Sequence, residues 1–294
     1  MISRRTALGL TAAGLSALAS TRGAFAALDY PTRPVRFIVG YPPGGATDIL
    51  ARLIGQRLSE RLGQTFVIEN KAGAGNNIGT ETVVHGAPDG YMVLLVNPAN
   101  FINTTLYVNL KFDFLRDIVP VASFNRVPNV MTVNKDVPAN NVAEFIAYLK
   151  ANPGKVNMAS SGNGTSVHLS GEMFMAMTGT KMQHVPYRGA ALAINDMLAG
   201  QVQVIFDNMP SIIQHIRSGS LRALGVTTAE RSPQLPDVQA IAETVPGYEA
   251  SALFGMGAPK NTPKDIIEKL NSEINAILAE PEMRSAWSSS AASP

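Results

Sequence analysis

The stretch Tyr41-Pro42-Pro43-Gly44-Gly45-Ala46-Thr47-Asp48 constrains the fold more than any other part of the chain. It follows an apolar strand-like run, Val35–Val39, and opens an amphipathic run, 49–62, with Ile49, Leu50, Leu53, Ile54 and Leu58 at helical spacing. A strand that turns through Pro-Pro-Gly-Gly into a helix leaves the first helical N–H groups unpaired and aimed at the turn. The helix dipole adds to their pull on an anion. The glycines let a ligand approach the backbone. The turn points to a small anionic ligand, a carboxylate or a phosphate.

The alternation continues. Residues 65–69 and 91–96 read as strands, 78–85 as a helix, and 97–119 as an irregular connection. A second unit then reads as an extended segment at 127–133, helices at 142–150, 166–177, 190–198 and 211–217, and strands at 156–159, 182–185, 202–206 and 221–226. An apolar run at 251–256 leads to an amphipathic helix at 263–278, with Thr262 as N-cap and Pro263 at its first position. Strands alternating with helices give parallel α/β sheets, whose ligands sit at the carboxyl ends of strands. Residues 39–56 and 185–201 resemble each other: strand, Tyr, Gly-containing turn, helix. Two domains that each aim such a turn at a shared cleft account for the similarity.

Charge and composition narrow the class. Arg4 and Arg5, a small-residue apolar run, and Ala24-Phe25-Ala26 read as an export signal over 1–26, cleaved near Ala26. Ser3-Arg4-Arg5 suggests a twin-arginine signal, although Ala7 stands where Phe is usual. The whole chain has 24 basic and 22 acidic residues, and loss of Arg4, Arg5 and Arg22 with the signal leaves one net negative charge. The balance therefore gives no argument for nucleic acid. The chain has no cysteine, so an exported form depends on its core and not on disulfides. The expected compartment is the periplasm.

Four turns are candidates for ligand contact: 41–48, 73–79, 160–165 and 187–190. The third can offer the Ser160, Ser161 and Thr165 hydroxyls. Asp48 reads as a cap or ion-pair residue of its own helix, Arg188 as a possible carboxylate partner, and Asp207 as a carboxylate at a strand end. The 73–79 turn lacks the glycine at 78 that a dinucleotide fingerprint needs. A serine hydrolase using Ser161 with His168 is weakly supported, because neither Ser160 nor Ser161 lies in a G-x-S-x-G elbow. His85, His168, His184 and His215 are scattered, so no metal and no cofactor are expected.

The segments VGYPPGGATDILAR, VIENKAGAGNNIGTE, ASSGNGTSVHLSGE and HVPYRGAALAINDMLAGQV resemble, in order and spacing, the tripartite tricarboxylate transporter substrate-binding receptors, also called Bug receptors. The resemblance implies a type II periplasmic binding protein: two α/β lobes around a ligand cleft, joined by a two-segment hinge and closing on a small carboxylate. It implies one lobe from 27–126 with 251–294, a second from 127–250, and no catalysis. The ligand would be a di- or tricarboxylate, an acidic amino acid or an aromatic carboxylate. The partner would be a membrane permease of one large and one small subunit, or in an alternative role a sensor protein. The implied contacts are Tyr41, Gly44, Gly45 and Thr47; Ala74, Gly75 and Asn76; Asn97, Ala99 and Asn100; Ser160, Ser161, Gly164, Thr165 and His168; with Tyr187 and Asp207 nearby. Ala72 and Asn76 depart from the usual Pro-Gly-Ala-Gly-Gly of the second motif, so Asn76 is expected to set ligand choice, and Ala199 replaces a glycine. After Trp287 the chain reads SSSAASP, which suggests a C-terminal truncation relative to the family.

Overall fold

A computed structural model describes residues 29–283; the expected export signal and the segment after Met283 lie outside them. β1 (Val35–Val39) runs into α1 (Ala46–Leu62), which starts before the apolar spacing does because Gly45 supplies the cap. β2 (Phe66–Asn70), α2 (Asn77–Val84) and β3 (Met92–Val96) follow, and β1 lies between β2 and β3, parallel to both.

The region expected to be irregular holds two helices, α3 (Pro98–Leu106) and α4 (Phe114–Asp117). A capping box starts α3. Asn97 Oδ1 accepts from the Ala99 N–H at 3.1 Å, Asn100 Oδ1 accepts from the Asn97 N–H at 2.8 Å, and Pro98 fills the first turn.

β4 (Ile118–Val133) is a single 16-residue strand, longer than the extended segment expected at 127–133. The second unit then comprises α5 (Val142–Ala151), β5 (Asn157–Ser160), α6 (Ser166–Thr178), β6 (Gln183–Pro186), α7 (Ala190–Leu198), β7 (Val204–Asn208), α8 (Met209–Arg217) and β8 (Arg222–Val226). β9 (Ser251–Pro259) and α9 (Lys264–Ala279) return to the first. Thr262 does not cap α9 as expected. Its hydroxyl donates to the Pro259 carbonyl at 2.7 Å, and Pro263 occupies the extended cap position.

The strands run in the order β2-β1-β3-β9-β4-β7-β5-β6, with β8 also on β4. The sheet is mixed, not purely parallel, because β9 pairs antiparallel with both β3 and β4. β4 bonds β9 from Ile118 to Pro128, then β7 and β8 from Asn129 onward. One strand thus serves both halves, and the architecture is the expected pair of α/β lobes.

Each lobe has its own core. In the second, Phe174 meets Phe145, Phe206 and Tyr248 at ring distances of 6.3, 5.5 and 6.3 Å, and the Tyr248 hydroxyl donates to the Ser170 carbonyl at 2.8 Å. In the first, Ile38, Val83, Leu94, Phe114 and Ile118 pack on one face of the sheet. On the other side α1 is tied to α9 by Arg61 and Glu273 at 2.7 Å, and Arg57 pairs with Glu280. Among the described residues no helix is long and apolar enough to cross a membrane, and no group of three or more His, Asp or Glu side chains could hold a metal ion.

Candidate functional site

A cavity of about 30 Å³ lies between the lobes, with room for no more than a few waters. The first lobe lines it with Tyr41, Gly45, Ala46, Thr47, Asn97, Pro98 and Phe254. The second contributes Ser161, Thr165, Ser166, Val167, Ala190 and Asn208. None of these side chains is charged. The lining includes the caps or first turns of α1, α3, α6, α7 and α8, so five helix N-termini converge. Gly45 and Gly189 cap α1 and α7 without a side-chain hydrogen bond, which leaves first-turn N–H groups for another acceptor.

Asn97 is the most informative side chain. Its Oδ1 is used in the cap of α3, but its Nδ2 is buried in the cavity wall with no protein partner, on a residue 3 % exposed. A buried amide donor left unpaired is costly. It fits a site that expects an acceptor.

Asp48 has the structural role anticipated for it. It accepts from Arg52 Nη2 at 2.9 Å, Asn70 Nδ2 at 2.9 Å and the Gly44 N–H at 3.1 Å. Burial alone would push its carboxyl up, but the bonds from Arg52, Asn70 and Gly44 outweigh it and hold the group below its ordinary value. Asn70 Nδ2 also donates to the Tyr41 carbonyl at 2.9 Å, so the first turn is braced from behind. Burial, and then the nearby Tyr107, raise the Tyr41 phenol, which stays neutral.

In the second lobe, Thr165 Oγ1 accepts from the His168 N–H at 3.1 Å and donates to the Gly162 carbonyl at 2.8 Å. This caps α6 and shapes the 160–165 loop. Ser160 is fully buried, and its Oγ lies 2.6 Å from His184 Nε2. His184 stacks on His168 at 4.0 Å, and His168 Nδ1 accepts from the Gly164 N–H at 3.3 Å while Nε2 lies 3.4 Å from Glu172. Burial, and then the His168 ring, lower His184 to about 4; burial also lowers His168. This histidine pair supports the loop from behind.

Of the residues anticipated, Tyr41, Gly45, Thr47, Asn97, Ser161 and Thr165 line the cavity. Gly44 sits beside it with its N–H given to Asp48. Ala99 and Asn100 belong to the capping box, with Asn100 Nδ2 turned to Thr80 at 2.7 Å. Ser160, Gly164 and His168 lie behind the loop. Asn76, expected to set ligand choice, is not among the residues that line the cavity. It is 1 % exposed and occupies the space a Cβ on Gly40 would need. Ala74 is exposed, and Gly75 sits against the second lobe, where a Cβ on it would come within 2.6 Å of the Asn163 carbonyl. Ala74, Gly75 and Asn76 all have positive φ, at 48°, 59° and 86°, a strained run for Ala and Asn.

Tyr187 turns away too: its hydroxyl donates to Asp196 at 2.6 Å, and burial, then that bond, push it up to about 12. Arg188 is exposed and outside the lining. At the end of β7 the cavity is lined by Asn208 and not by Asp207. Successive strand residues face opposite ways, so Asn208 reaches the cavity while Asp207 faces Ser211, whose hydroxyl donates to it at 2.6 Å. Asp207 is fully buried with Oδ1 unpartnered, and burial raises it to about 6. Asn208 and Phe254 were missed. Parity along residues 204–208 signals the first, whereas nothing local signals the second.

A family model described as the tripartite tricarboxylate transporter family receptor matches residues 50–292. Protein BugT of Bordetella pertussis is 38% identical over 268 residues, covering 90% of this chain and 82% of BugT. Rpa4515 of R. palustris, solved with adipate, superposes with a TM-score of 0.89 at 38% identity, over 90% of each chain. MatC from Rhodopseudomonas palustris, solved with bound malate, superposes with a TM-score of 0.86 at 29% identity, again over 90% of each.

Proposed function

The chain belongs to the tripartite tricarboxylate transporter receptor family, and on that premise we propose that it is a periplasmic solute receptor that captures a small carboxylate by lobe closure and hands it to a membrane permease of one large and one small subunit. The observation that carries this reading is the cavity itself: five helix N-termini and the unpaired Asn97 Nδ2 face an uncharged space. Such a site binds an anion through oriented N–H groups, without a lysine or arginine. The bound adipate and malate of the two similar structures have this chemistry.

The cavity is narrow and walled by residues of both lobes, so capture is read as the lobes parting and closing again. A ligand touched by both lobes favours the closed state by the contacts it gains there. The proposed lobes are 27–126 with 251–294, and 127–250. The proposed contacts are Tyr41, Gly45, Thr47, Asn97, Ser161 and Thr165, joined by Ser166, Ala190, Asn208 and Phe254, with Gly44 in support.

A catalytic role is disfavoured. His168 has one ring nitrogen on Gly164 and the other toward Glu172, so it is no base for Ser161. Ser160 is fully buried behind the loop, bonded to the half-buried His184. Thermal denaturation with a panel including malate, adipate, citrate, glutamate and benzoate tests the receptor reading: at least one raises Tm in a dose-dependent way. A folded sample indifferent to all of them refutes it.

A further inference from the structure

The 160–165 loop does two things at once. Its ends give Ser161 and Thr165 to the cavity wall. Its middle touches the other lobe: a Cβ on Gly164 would stand 2.3 Å from Asn103 Oδ1 and 2.9 Å from Leu106 Cδ2, both on α3, and the Asn163 carbonyl abuts Gly75. Gly164 has φ 79°, so conformation as well as space reserves the position for glycine. Within the loop, Gly162 is held by Ser160 and Thr165. Gly164 is held by the bond from its N–H to His168 Nδ1.

That bond belongs to one protonation state. An imidazole nitrogen that accepts carries no proton, so neutral His168 keeps its hydrogen on Nε2, 3.4 Å from Glu172 Oε1. A proton added at Nδ1 turns the acceptor into a donor and sets it against the Gly164 N–H. The bond is lost, and a buried amide is left unpaired.

The surroundings decide which ring takes the proton. His184 stacks on His168 with the ring planes 20° apart, so two charged rings would repel. Glu172, one turn on from His168 in α6, favours a cation there. His184 has no such partner: it stands opposite Met158 and meets Ser160, both uncharged. Among the described residues no other charged side chain acts on either ring. Burial lowers His168 from its ordinary 6.5 despite Glu172. The Gly164 bond is therefore whole above that pH and is lost as pH falls.

Resting on the receptor reading above, we propose that His168 is a positioning residue that makes ligand retention depend on pH: its neutral ring pins Gly164, and its protonation in acid frees the loop, loosening the ligand wall and the lobe contact together. Isothermal titration of the full chain with malate and with adipate, from pH 7.5 to pH 5, tests this in wild type, Glu172→Gln and His168→Asn. Titration of the ligand itself is common to all three and cancels in the variant-to-wild-type affinity ratio. Glu172→Gln removes the charge that favours the cation, so its ratio is one at pH 7.5 and rises to about threefold or more at pH 5. His168→Asn keeps an acceptor for Gly164 and cannot titrate; whatever its affinity at pH 7.5, its ratio rises in the same way. Ratios that stay flat with pH overturn the proposal. In the unliganded wild type, the Gly164 amide resonance shifts with the same midpoint as the His168 ring, and an amide indifferent to that titration overturns it as well. A wild type that binds no carboxylate of the panel refutes the receptor reading, and the Gly164 titration then still decides whether the ring holds the loop.

Discussion

Gly189 is pressed against Pro42 across the cleft: a Cβ on Gly189 would stand 2.8 Å from Pro42 Cδ. Beside this pair, a Cβ on Gly44 would meet Ala191 at 3.4 Å, and one on Gly45 would meet Ala190 at 3.6 Å. The two turns whose sequences resemble each other are thus in contact, one from each lobe. Their glycines are the thickness of the closed interface.

Gly189→Ala tests that relationship. The residue has φ 177°, which any amino acid adopts, so the substitution is purely steric. The rigid proline ring cannot yield cheaply. The variant keeps its Tm without ligand but binds carboxylate about tenfold more weakly, because closure is propped open. Isothermal titration and small-angle scattering read the two effects; wild-type affinity with wild-type compaction on ligand addition would count against a closed interface of this kind.

Asn97→Asp separates capping from binding. Aspartate caps a helix as well as asparagine and favours the dipole, so stability stays within about 1 kcal/mol. The unpaired donor becomes an anion facing a bound carboxylate, and affinity falls by about a hundredfold or more. Chemical denaturation and titration on the same preparation check the split, and a variant that still binds at wild-type strength would remove Asn97 from the site.

Asp207 predicts stability that varies with pH. Its folded value is about 6 against an ordinary 3.8, so the native state holds the proton more tightly. The group's contribution is fully present below pH 3.8 and is lost as pH rises through 6. Asp207→Asn, which cannot ionise, is therefore more favourable relative to wild type at pH 7 than at pH 4, by about 2 kcal/mol. Urea denaturation at both pH values measures it, and equal differences would show an ordinary carboxyl.

His184 acts with the opposite sign. Its folded value is lowered from 6.5 to about 4, so its contribution is present above pH 6.5 and is lost as pH falls toward 4. His184→Gln retains a nitrogen for Ser160 and loses less Tm than the wild type between pH 7 and pH 4.5. The two groups oppose each other over that interval, so each is read as a variant-minus-wild-type difference. A variant whose Tm tracks the wild type across the range would mean that His184 titrates normally.

The α/β fold, most of its strands and helices and the glycine turns between them were legible because they depend on local rules: hydrophobic period, glycine turns and helix starts. α3 was lost because its start signal is Asn-Pro-Ala-Asn, a capping box without an acidic residue. Asn76 and Tyr187 lie in the anticipated turns but face away from the cavity, Asn76 packed over Gly40 and bonded to Thr80, Tyr187 bonded to Asp196. Asp207 lies one residue from the lining residue Asn208, and in a strand one residue is the opposite face. Phe254 was invisible for a deeper reason. It is set in place by a pairing between strands more than a hundred positions apart, shifted by a bulge after Ser123, and no motif encodes such a register.

β4 changes partner from Ser251 to Asn208 between Pro128 and Asn129 without a break in its own backbone. In the proposed closure the lobes would therefore part by twisting one continuous strand, and the ladder pairs on either side of the changeover could stay formed.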